Sequence, residues 1–349
     1  EDMFADWRTA TVTIPAGQTA SNATLNGRNA GTTVITAADS SGLGYASTNA
    51  VLAVTATMRI AAGSFAVNAT DIAVTQVLLS DPSPAGGTYV SFGFSTPGIA
   101  AVSPDPAFIP AGQLAADIQI RGVGAGTTNI TPRAIGVNGA SSSFTAYPPV
   151  LTPSQTSLML GAGQYDAGTY VQVPTYANTP IPVTLSSSDT AVAVVPATVT
   201  IPAGNYYVYF TIASRGTGSA TVSVSSPGWT AARAVPVTVT TPRVGISGGG
   251  ALNTTSPYTT VTVYAEDSLR SGHYRTNSLV VRLSSRDAAV MKVLDSVVTI
   301  GPGQYYNGSA RVIPGGLGGA TYIIATASGH LPDSTLYTVV GPKLQFSWN

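Results

Sequence analysis

The sequence predicts an all-β chain of tandem two-sheet sandwiches, and three observations support this prediction. A strand–turn–strand motif built around Ile-Pro-x-Gly, or a close variant of it, recurs along the chain. A second motif, led by glycine, follows each copy at a nearly constant distance. The composition, 44% hydrophobic, 9% charged and rich in Ala, Gly, Ser, Thr and Val, is typical of β-proteins with many tight turns.

The recurring motif is clearest in ATVTIPAGNYYVYFTI, residues 197–212. Val199 and Ile201 alternate with threonines at a period of two, as expected for a half-buried strand. Pro202 then fixes φ in a turn that Gly204 closes, and a second alternating segment follows. The motif therefore predicts two strands joined by a tight turn. Its near copies are VTIPAGQ at 12–18, AFIPAGQ at 107–113 and VTIGPGQ at 298–304.

The spacing of the motifs gives the period of the repeat. The isoleucines are 95, 92 and 99 residues apart, at Ile14, Ile109, Ile201 and Ile300. The glycine-led motifs GTTVI, GTTNI and GSATV follow by 17 residues and GGATYI by 18, at Gly31, Gly126, Gly218 and Gly318. A period of this length predicts roughly three to four modules, each the size of a domain.

Each complete repeat contains about seven short strands separated by turn signals, which predicts an antiparallel two-sheet sandwich of the immunoglobulin type. The first and last segments do not hold complete repeats. The predicted organisation is a partial module at 1–57 with only the second half, modules at 58–149, 150–241 and 242–341, and a single strand at 342–349.

One stretch resembles a known family. SSSDTAVAVVPATVTIPAG at 186–204, followed by GTGSATVSVSSPGW at 216–229 and PVTVT at 236–240, is similar to the bacterial immunoglobulin-like (BIG) domains. Those domains are tandem modules of surface adhesins and extracellular fibres. The resemblance covers most of the chain and is best in residues 150–241. It implies an extracellular stalk, adhesin or filament and identifies no catalytic residue.

The two ends of the sequence are out of phase with the repeat. Residues 1–57 lack the opening strands of a module, whereas PKLQFSWN at 342–349 matches the opening strand PRVGIS at 242–247. An unfinished sandwich exposes apolar surface and an unpaired edge. We therefore expect the C-terminal strand of one subunit to complete the first module of the next, which gives a head-to-tail homopolymer. The alternative is that the sequence is cut from a longer tandem array.

The residues expected at this subunit contact are apolar. Three of them alternate on one face of the C-terminal strand, and three lie close to the beginning of the sequence. They are Leu344, Phe346 and Trp348, together with Met3, Phe4 and Trp7.

Tyrosines form the densest aromatic clusters and are candidates for an exposed contact surface. Neighbours in a strand point to opposite faces, so we expect at least one tyrosine of each adjacent pair to lie outside the sandwich. Subunit packing is the preferred role and glycan stacking the alternative. The residues are Tyr206, Tyr207 and Tyr209, with Tyr305 and Tyr306.

The sequence shows no set of residues with the types and spacing of a known catalytic site. Ser247 in GISGG fits Gly-x-Ser-x-Gly, but it lies in an opening strand with no helix pattern after it. The two histidines, His273 and His330, are 57 residues apart and too few for a zinc site. Nucleotide-binding motifs are absent from the sequence. We predict no enzyme activity, no cofactor and no metal; calcium at a module junction is an alternative that would use Asp39, Asp71, Asp189 or Asp287.

Five Asn-x-Ser/Thr sequons are candidate glycosylation sites. One of them, at Asn307-Gly308, is equally well explained as a tight hairpin turn. The asparagines are Asn22, Asn68, Asn129, Asn253 and Asn307.

Composition also limits the partners. The 15 basic and 15 acidic residues balance, so nothing favours nucleic acid or an anionic membrane as partner. The sequence contains no run of about 18 apolar residues, so no segment of it is predicted to cross a membrane as a helix. The predicted protein is a structural subunit of an extracellular filament or surface appendage, whose partner is itself. The alternative is an adhesin stalk or phage decoration module that binds cell-surface glycans.

Overall fold

The computed structural model describes residues 11–22 and 31–341, and all the regular secondary structure in them is β-strand. The predicted tandem β-sandwich fold is confirmed. The chain divides into two compact units: one runs to Pro149 and includes Pro174–Thr179, and the other consists of Val150–Val173 and everything from Pro180 onward. The described residues form no helix of a length and hydrophobicity that would cross a bilayer.

The first unit begins with an isolated hairpin. Strands β1 (Gly31–Ala37) and β2 (Thr48–Val54) pair antiparallel and form a two-stranded sheet. The turn motif before them is present, since the Gln18 amide donates to the Pro15 carbonyl at 3.0 Å. Residues 11–14, expected to be a strand, are not one, because they have no ladder partner among the described residues.

The same unit contains a sandwich of two five-stranded sheets, β4-β12-β10-β6-β8 and β11-β3-β5-β9-β7, whose strands are given next. They are β3 (Ala56–Ile60), β4 (Ser64–Asn68), β5 (Ile72–Leu79), β6 (Thr88–Phe94), β7 (Ala100–Ser103), β8 (Ala107–Ile109), β9 (Ala115–Gly122), β10 (Gly126–Arg133), β11 (Val137–Ala140) and β12 (Ser142–Tyr147).

The second unit opens with twelve short strands. They are β13 (Val150–Pro153), β14 (Leu158–Gly161), β15 (Gln164–Asp166), β16 (Tyr170–Gln172), β17 (Ile181–Ser187), β18 (Ala193–Val194), β19 (Thr198–Ile201), β20 (Tyr207–Tyr209), β21 (Ile212–Ser214), β22 (Gly218–Ser225), β23 (Thr230–Ala231) and β24 (Val235–Thr240). One face is the sheet β14-β24-β22-β17-β19, and the other is built from β20-β16-β13-β23 and from β18-β21-β15.

The second unit ends with a further sandwich. Its strands are β25 (Arg243–Ser247), β26 (Gly250–Asn253), β27 (Thr259–Glu266), β28 (Tyr274–Arg275), β29 (Leu279–Ser285), β30 (Met291–Val293), β31 (Val297–Ile300), β32 (Tyr306–Pro314), β33 (Gly319–Thr326) and β34 (Asp333–Val340). The sheets are β25-β27-β32-β30 and β26-β34-β33-β29-β31. This sandwich is called the fourth module below, after its place among the repeats.

Each sandwich ends in the same antiparallel pair of strands, which we call the closing pair: β10 with β12, β22 with β24, and β33 with β34. The last strand of each pair also receives a parallel strand from the start of its module, β4, β14 or β26. The first strand pairs on its other side with β6, β17 or β29. The hairpin β1–β2 is the equivalent pair, and in the described residues neither of its edges is paired.

A glycine of the second motif begins each closing pair of the three sandwiches for a steric reason. Gly126, Gly218 and Gly319 have φ of 141°, 149° and 152°, which L side chains rarely adopt. A Cβ there would lie 2.8 Å from Ile99 Cδ1, 2.9 Å from Val192 Cγ2 and 3.2 Å from Val290 Cγ2, respectively. The repeated glycine therefore lets the strand begin directly against an aliphatic side chain of the preceding turn.

The motif isoleucines show where a module is complete. Ile109, Ile201 and Ile300 are 0% exposed, because they point between two sheets. Ile14 holds the same position in the first copy of the motif, and it is 55% exposed. Ile35, on the inward position of the closing pair, is partly exposed, whereas its equivalents in the three sandwiches are fully buried.

We expect Ile201→Ala to lower the free energy of unfolding by about 2–5 kcal/mol, since it leaves a cavity in a packed core. The matched variant Ile14→Ala should change it by less than about 0.5 kcal/mol in the monomer, because that side chain is exposed. Urea unfolding of both variants measures the difference. Equal losses would show that Ile14 is packed in the same way as Ile201.

Candidate functional site

The polar residues singled out by sequence take structural roles. Ser247 ends β25, and its Oγ lies 3.2 Å from the Tyr264 hydroxyl. His273 Nε2 lies 3.3 Å from Asp267 Oδ2. Asp267 Oδ1 also accepts hydrogen bonds from the Leu269 and Ser271 amides, so this carboxylate holds a tight turn together.

The carboxylates of the aspartates considered for calcium accept hydrogen bonds from backbone amides. Asp189 and Asp287 each accept a hydrogen bond from the amide two residues later, in equivalent turns. Asp39 accepts the amide and hydroxyl of Ser41, and these bonds lower its pKa to about 2. Asp71 accepts the amides of Ile72 and Asn178. In residues 11–22 and 31–341, no group of three or more His, Cys, Asp or Glu is placed to hold a metal ion.

The sequons differ in accessibility. Asn22, Asn129 and Asn253 are exposed. The Asn307 side-chain amide donates to the Thr299 carbonyl at 2.8 Å. Asn68 is 0% exposed and exchanges two hydrogen bonds with the Thr175 backbone, so its side chain is not accessible to a glycosyl transferase in the folded chain.

The tyrosines of the middle motif form a first cluster. Tyr207 contacts Tyr206, Tyr209 and Tyr170, with ring centroids 5.0, 5.4 and 5.5 Å away. The expectation that Tyr206 and Tyr207 lie on opposite faces is wrong. Strand β20 begins only at Tyr207, so the alternation does not extend to Tyr206, and the two rings meet edge to face.

A second cluster is a row of five tyrosines in the second unit. The row is Tyr165, Tyr274, Tyr305, Tyr306 and Tyr264, and successive ring centroids are 5.5, 5.6, 4.9 and 6.3 Å apart. Tyr305 and Tyr306 again precede and begin a strand, β32, and touch each other. The row is exposed along one side, with Tyr306 50% accessible. It starts in one sandwich and continues in the next.

Below this row the two sandwiches of the second unit share backbone hydrogen bonds. Strands β15 and β28 pair antiparallel, with Tyr165 opposite Tyr274. The amide and the hydroxyl of Thr276 both donate to the Gly163 carbonyl, at 3.1 and 2.9 Å. The junction is therefore a continuous ladder and not a free linker.

Arg275 is the buried cation of this junction and is 7% exposed. Its Nη1 donates to the Ala162 carbonyl at 3.3 Å, and its Nε donates to the Asn277 carbonyl at 3.4 Å. Burial lowers the pKa of this guanidinium. A Cβ on Gly163 would lie 3.1 Å from Arg275 Nη2, so the turn approaches the guanidinium closely.

His330 completes the polar part of the junction. Its Nδ1 lies 2.8 Å from the Ser328 carbonyl, which makes Nδ1 the donor and leaves Nε2 to accept from Arg275 Nη1 at 3.4 Å. Burial is the main cause that lowers the pKa of His330, and the charge of Arg275 acts in the same direction, against the Ser328 hydrogen bond. The neutral imidazole therefore fits this place better than the imidazolium.

Sequence reasoning found only part of this arrangement. It singled out Tyr305 and Tyr306 but not Tyr165, Tyr274 or Arg275, which come from distant segments and share no local motif. The contact residues predicted near the two ends, from Met3 to Trp7 and from Leu344 to Trp348, lie outside the described residues. What the described site can do chemically is hold modules together and present tyrosine rings.

Comparison with known proteins gives no family. No family model matches the sequence, and no curated protein matches it. Among solved structures, the chain is similar to the Escherichia coli adhesin FdeC, with 16% identity, 82% of this chain and 97% of that chain covered, and a TM-score of 0.28. It is also similar to domains 4 and 5 of the S-layer protein SbsC, with 20% identity and a TM-score of 0.22. That match covers 45% of this chain and 76% of the SbsC chain. A fragment of the ICAM-5 ectodomain matches at 10% identity with a TM-score of 0.20. That match covers 82% of this chain and 77% of the ICAM-5 chain. Likenesses this low carry no argument about function.

We expect stability to fall as the pH drops through the range in which His330 titrates. The ordinary pKa of 6.5 is lowered in the fold, so between the two pKa values the unfolded chain binds more protons. The contribution of His330 is therefore full above the ordinary pKa and is lost progressively as the pH falls from there through the lowered pKa of the folded state. Urea unfolding at pH about 7.5 and about 5.5 measures the change.

The matched variant for this measurement is His330→Gln, which keeps a polar side chain and removes the titration. Its stability should fall less than that of the unchanged protein over the same interval. Because other groups also titrate, only the difference between the two proteins counts. Identical pH dependence would assign the change to groups other than His330.

Proposed function

We propose that this chain is a structural subunit of an extracellular filament or surface appendage, assembled head to tail by strand complementation. The observation that carries the proposal is the incomplete burial of the first repeat in the described residues. Ile35, at the inward position of the hairpin β1–β2, is partly exposed, whereas its equivalents in the three sandwiches are fully buried. Ile14 is 55% exposed, whereas the three isoleucines of the same motif are fully buried. Apolar surface left open in this way favours a partner that covers it.

The complete sandwiches indicate what this partner should supply. In the fourth module the opening strand β25 lies in the sheet opposite the closing pair and packs against β34 and β33. Its Val244 is 0% exposed, and Ile246 packs against the same core. An opening strand thus covers the inner face of a closing pair.

Residues 342–349 have the pattern of such an opening strand. In the alignment of Pro342 with Pro242, Leu344 corresponds to Val244 and Phe346 to Ile246. We infer that this segment of one copy covers the hairpin of the next copy. Burial of each large apolar side chain would contribute about 1.5–3 kcal/mol. The contact is heterologous, so it generates a fibre unless a ring closes.

Deletion of residues 342–349 tests the assembly. We expect the intact chain to form filaments in negative-stain electron microscopy and the shortened chain to remain as separate short rods. Circular dichroism of both chains controls for folding. Separate rods from both would contradict strand complementation and favour a piece of a longer stalk.

A glycan-binding stalk or phage decoration module is the second candidate. The exposed tyrosines favour it, since Tyr209 is 55% accessible at the edge of its cluster, and aromatic rings stack on sugars. A binder should show sugar affinity on a glycan array, and Tyr209→Ser should reduce the signal. The matched control is Tyr89→Ser, which changes a 65% exposed tyrosine outside both clusters. No signal from the intact chain would exclude this candidate for the glycans on the array.

A further inference from the structure

The outer faces of the closing pairs differ between modules. At one register position, β1–β2 places Val34 opposite Val51, and β33–β34 places Tyr322 opposite Leu336. By this register the four side chains lie on the face opposite the inward positions, and they are 57%, 71%, 39% and 44% exposed, respectively. The two pairs between them carry polar or small residues at the same position. These are Asn129 opposite Ser143, and Thr221 opposite Pro236.

The apolar surface extends beyond these pairs. On the fourth module, Ile324 is partly buried beside Tyr322, and Val280 and Val297 are 50% and 49% exposed on the same face of the sheet. The loop that joins β1 to β2 adds two exposed apolar side chains near the hairpin, Leu43 at 75% and Tyr45 at 74%. Contiguous apolar groups on an outer sheet face mark a contact surface more strongly than single exposed residues do.

Charged residues of opposite sign lie beside the two apolar faces. Asp39, in the loop of the hairpin, is the single charged residue within 11–22 and 31–54. On the fourth module, Arg282 lies opposite Val297, and the Arg286 amide donates to the Tyr322 carbonyl. Both arginines are exposed, and neither has an ion-pair partner among the described residues.

We infer that the outer face of β33–β34 in one copy packs on the outer face of β1–β2 in a second copy. Tyr322 and Leu336 contact Val34 and Val51, and Asp39 approaches the two arginines. This inference rests on the proposed self-assembly and adds the second surface that it uses. Strand complementation covers the inner face of the hairpin, and this contact covers its outer face. The opposite charges favour the pairing of unlike faces over the pairing of like faces.

Single-cysteine cross-linking tests the contact directly, because the sequence contains no cysteine. One chain carries Val34→Cys and an affinity tag, and the other carries Leu336→Cys without a tag. Since each chain has one thiol, any covalent pair joins two copies. After mild oxidation, we expect mixed dimers on a non-reducing gel in several-fold excess over either self-pair.

The matched control replaces Leu336→Cys by Pro236→Cys, which lies at the same register of the preceding sandwich. Its yield of mixed dimers should stay at the level of random collision. Arg282→Glu with Arg286→Glu, added to the Leu336→Cys chain, should lower the specific yield because the charges then repel Asp39. Equal yields for Leu336→Cys and Pro236→Cys, or self-pairs alone, would overturn the inference.

Electron microscopy of the same samples separates this inference from the proposed function. Filaments without the specific cross-link would show that the chain assembles through other surfaces, so the inference fails and the proposed function stands. The specific cross-link without filaments would show that the two faces meet but that the chain does not assemble into filaments, so the inference stands and the proposed function fails. If both are absent, neither contact exists in solution.

Discussion

The structure depends on the burial of the inner face of each closing pair between two sheets. Glycine begins the pair because a Cβ at Gly126, Gly218 or Gly319 would press on an aliphatic side chain of the preceding turn. The motif isoleucine enters the same core from a strand of the same sheet, which lies at the edge farthest from the closing pair. Where all these parts are present, the inward residues are completely buried. The hairpin β1–β2 has the same register without that cover in the described residues.

The modules are joined by contacts that repeat as the modules do. In the second unit, residues 274–276 bond to the turn at 162–165 of the preceding sandwich. In the first unit, residues 174–179 bond to the equivalent turn at 68–72, through Asn68, Asp71 and Ile72. The loop between the same two strands thus reaches the same turn in both cases.

The sequence predicted individual strands well because their side chains alternate and their turns use proline and glycine. It failed at Tyr206 and Tyr207, where strand β20 begins one residue later than the alternation suggests. It also missed Arg275, and it named His330 without finding its contact with Arg275, because the two residues are 55 positions apart. Asn68 matched a sequon, yet its amide is buried against a backbone segment more than 100 residues away. Each failure concerns a contact between segments that are remote in sequence.

The sequence by itself determined the repeat and the all-β class, because these depend on local periodicity, turn chemistry and the spacing of two motifs. Only the tertiary structure decided which side chains meet across modules and which apolar faces stay open. Val34 and Tyr322 look like ordinary strand residues until the register places them on outer faces, at a position that is polar or small in the two sandwiches between them. Exposure depends on which strands lie above and beside a residue, and local sequence does not encode that arrangement.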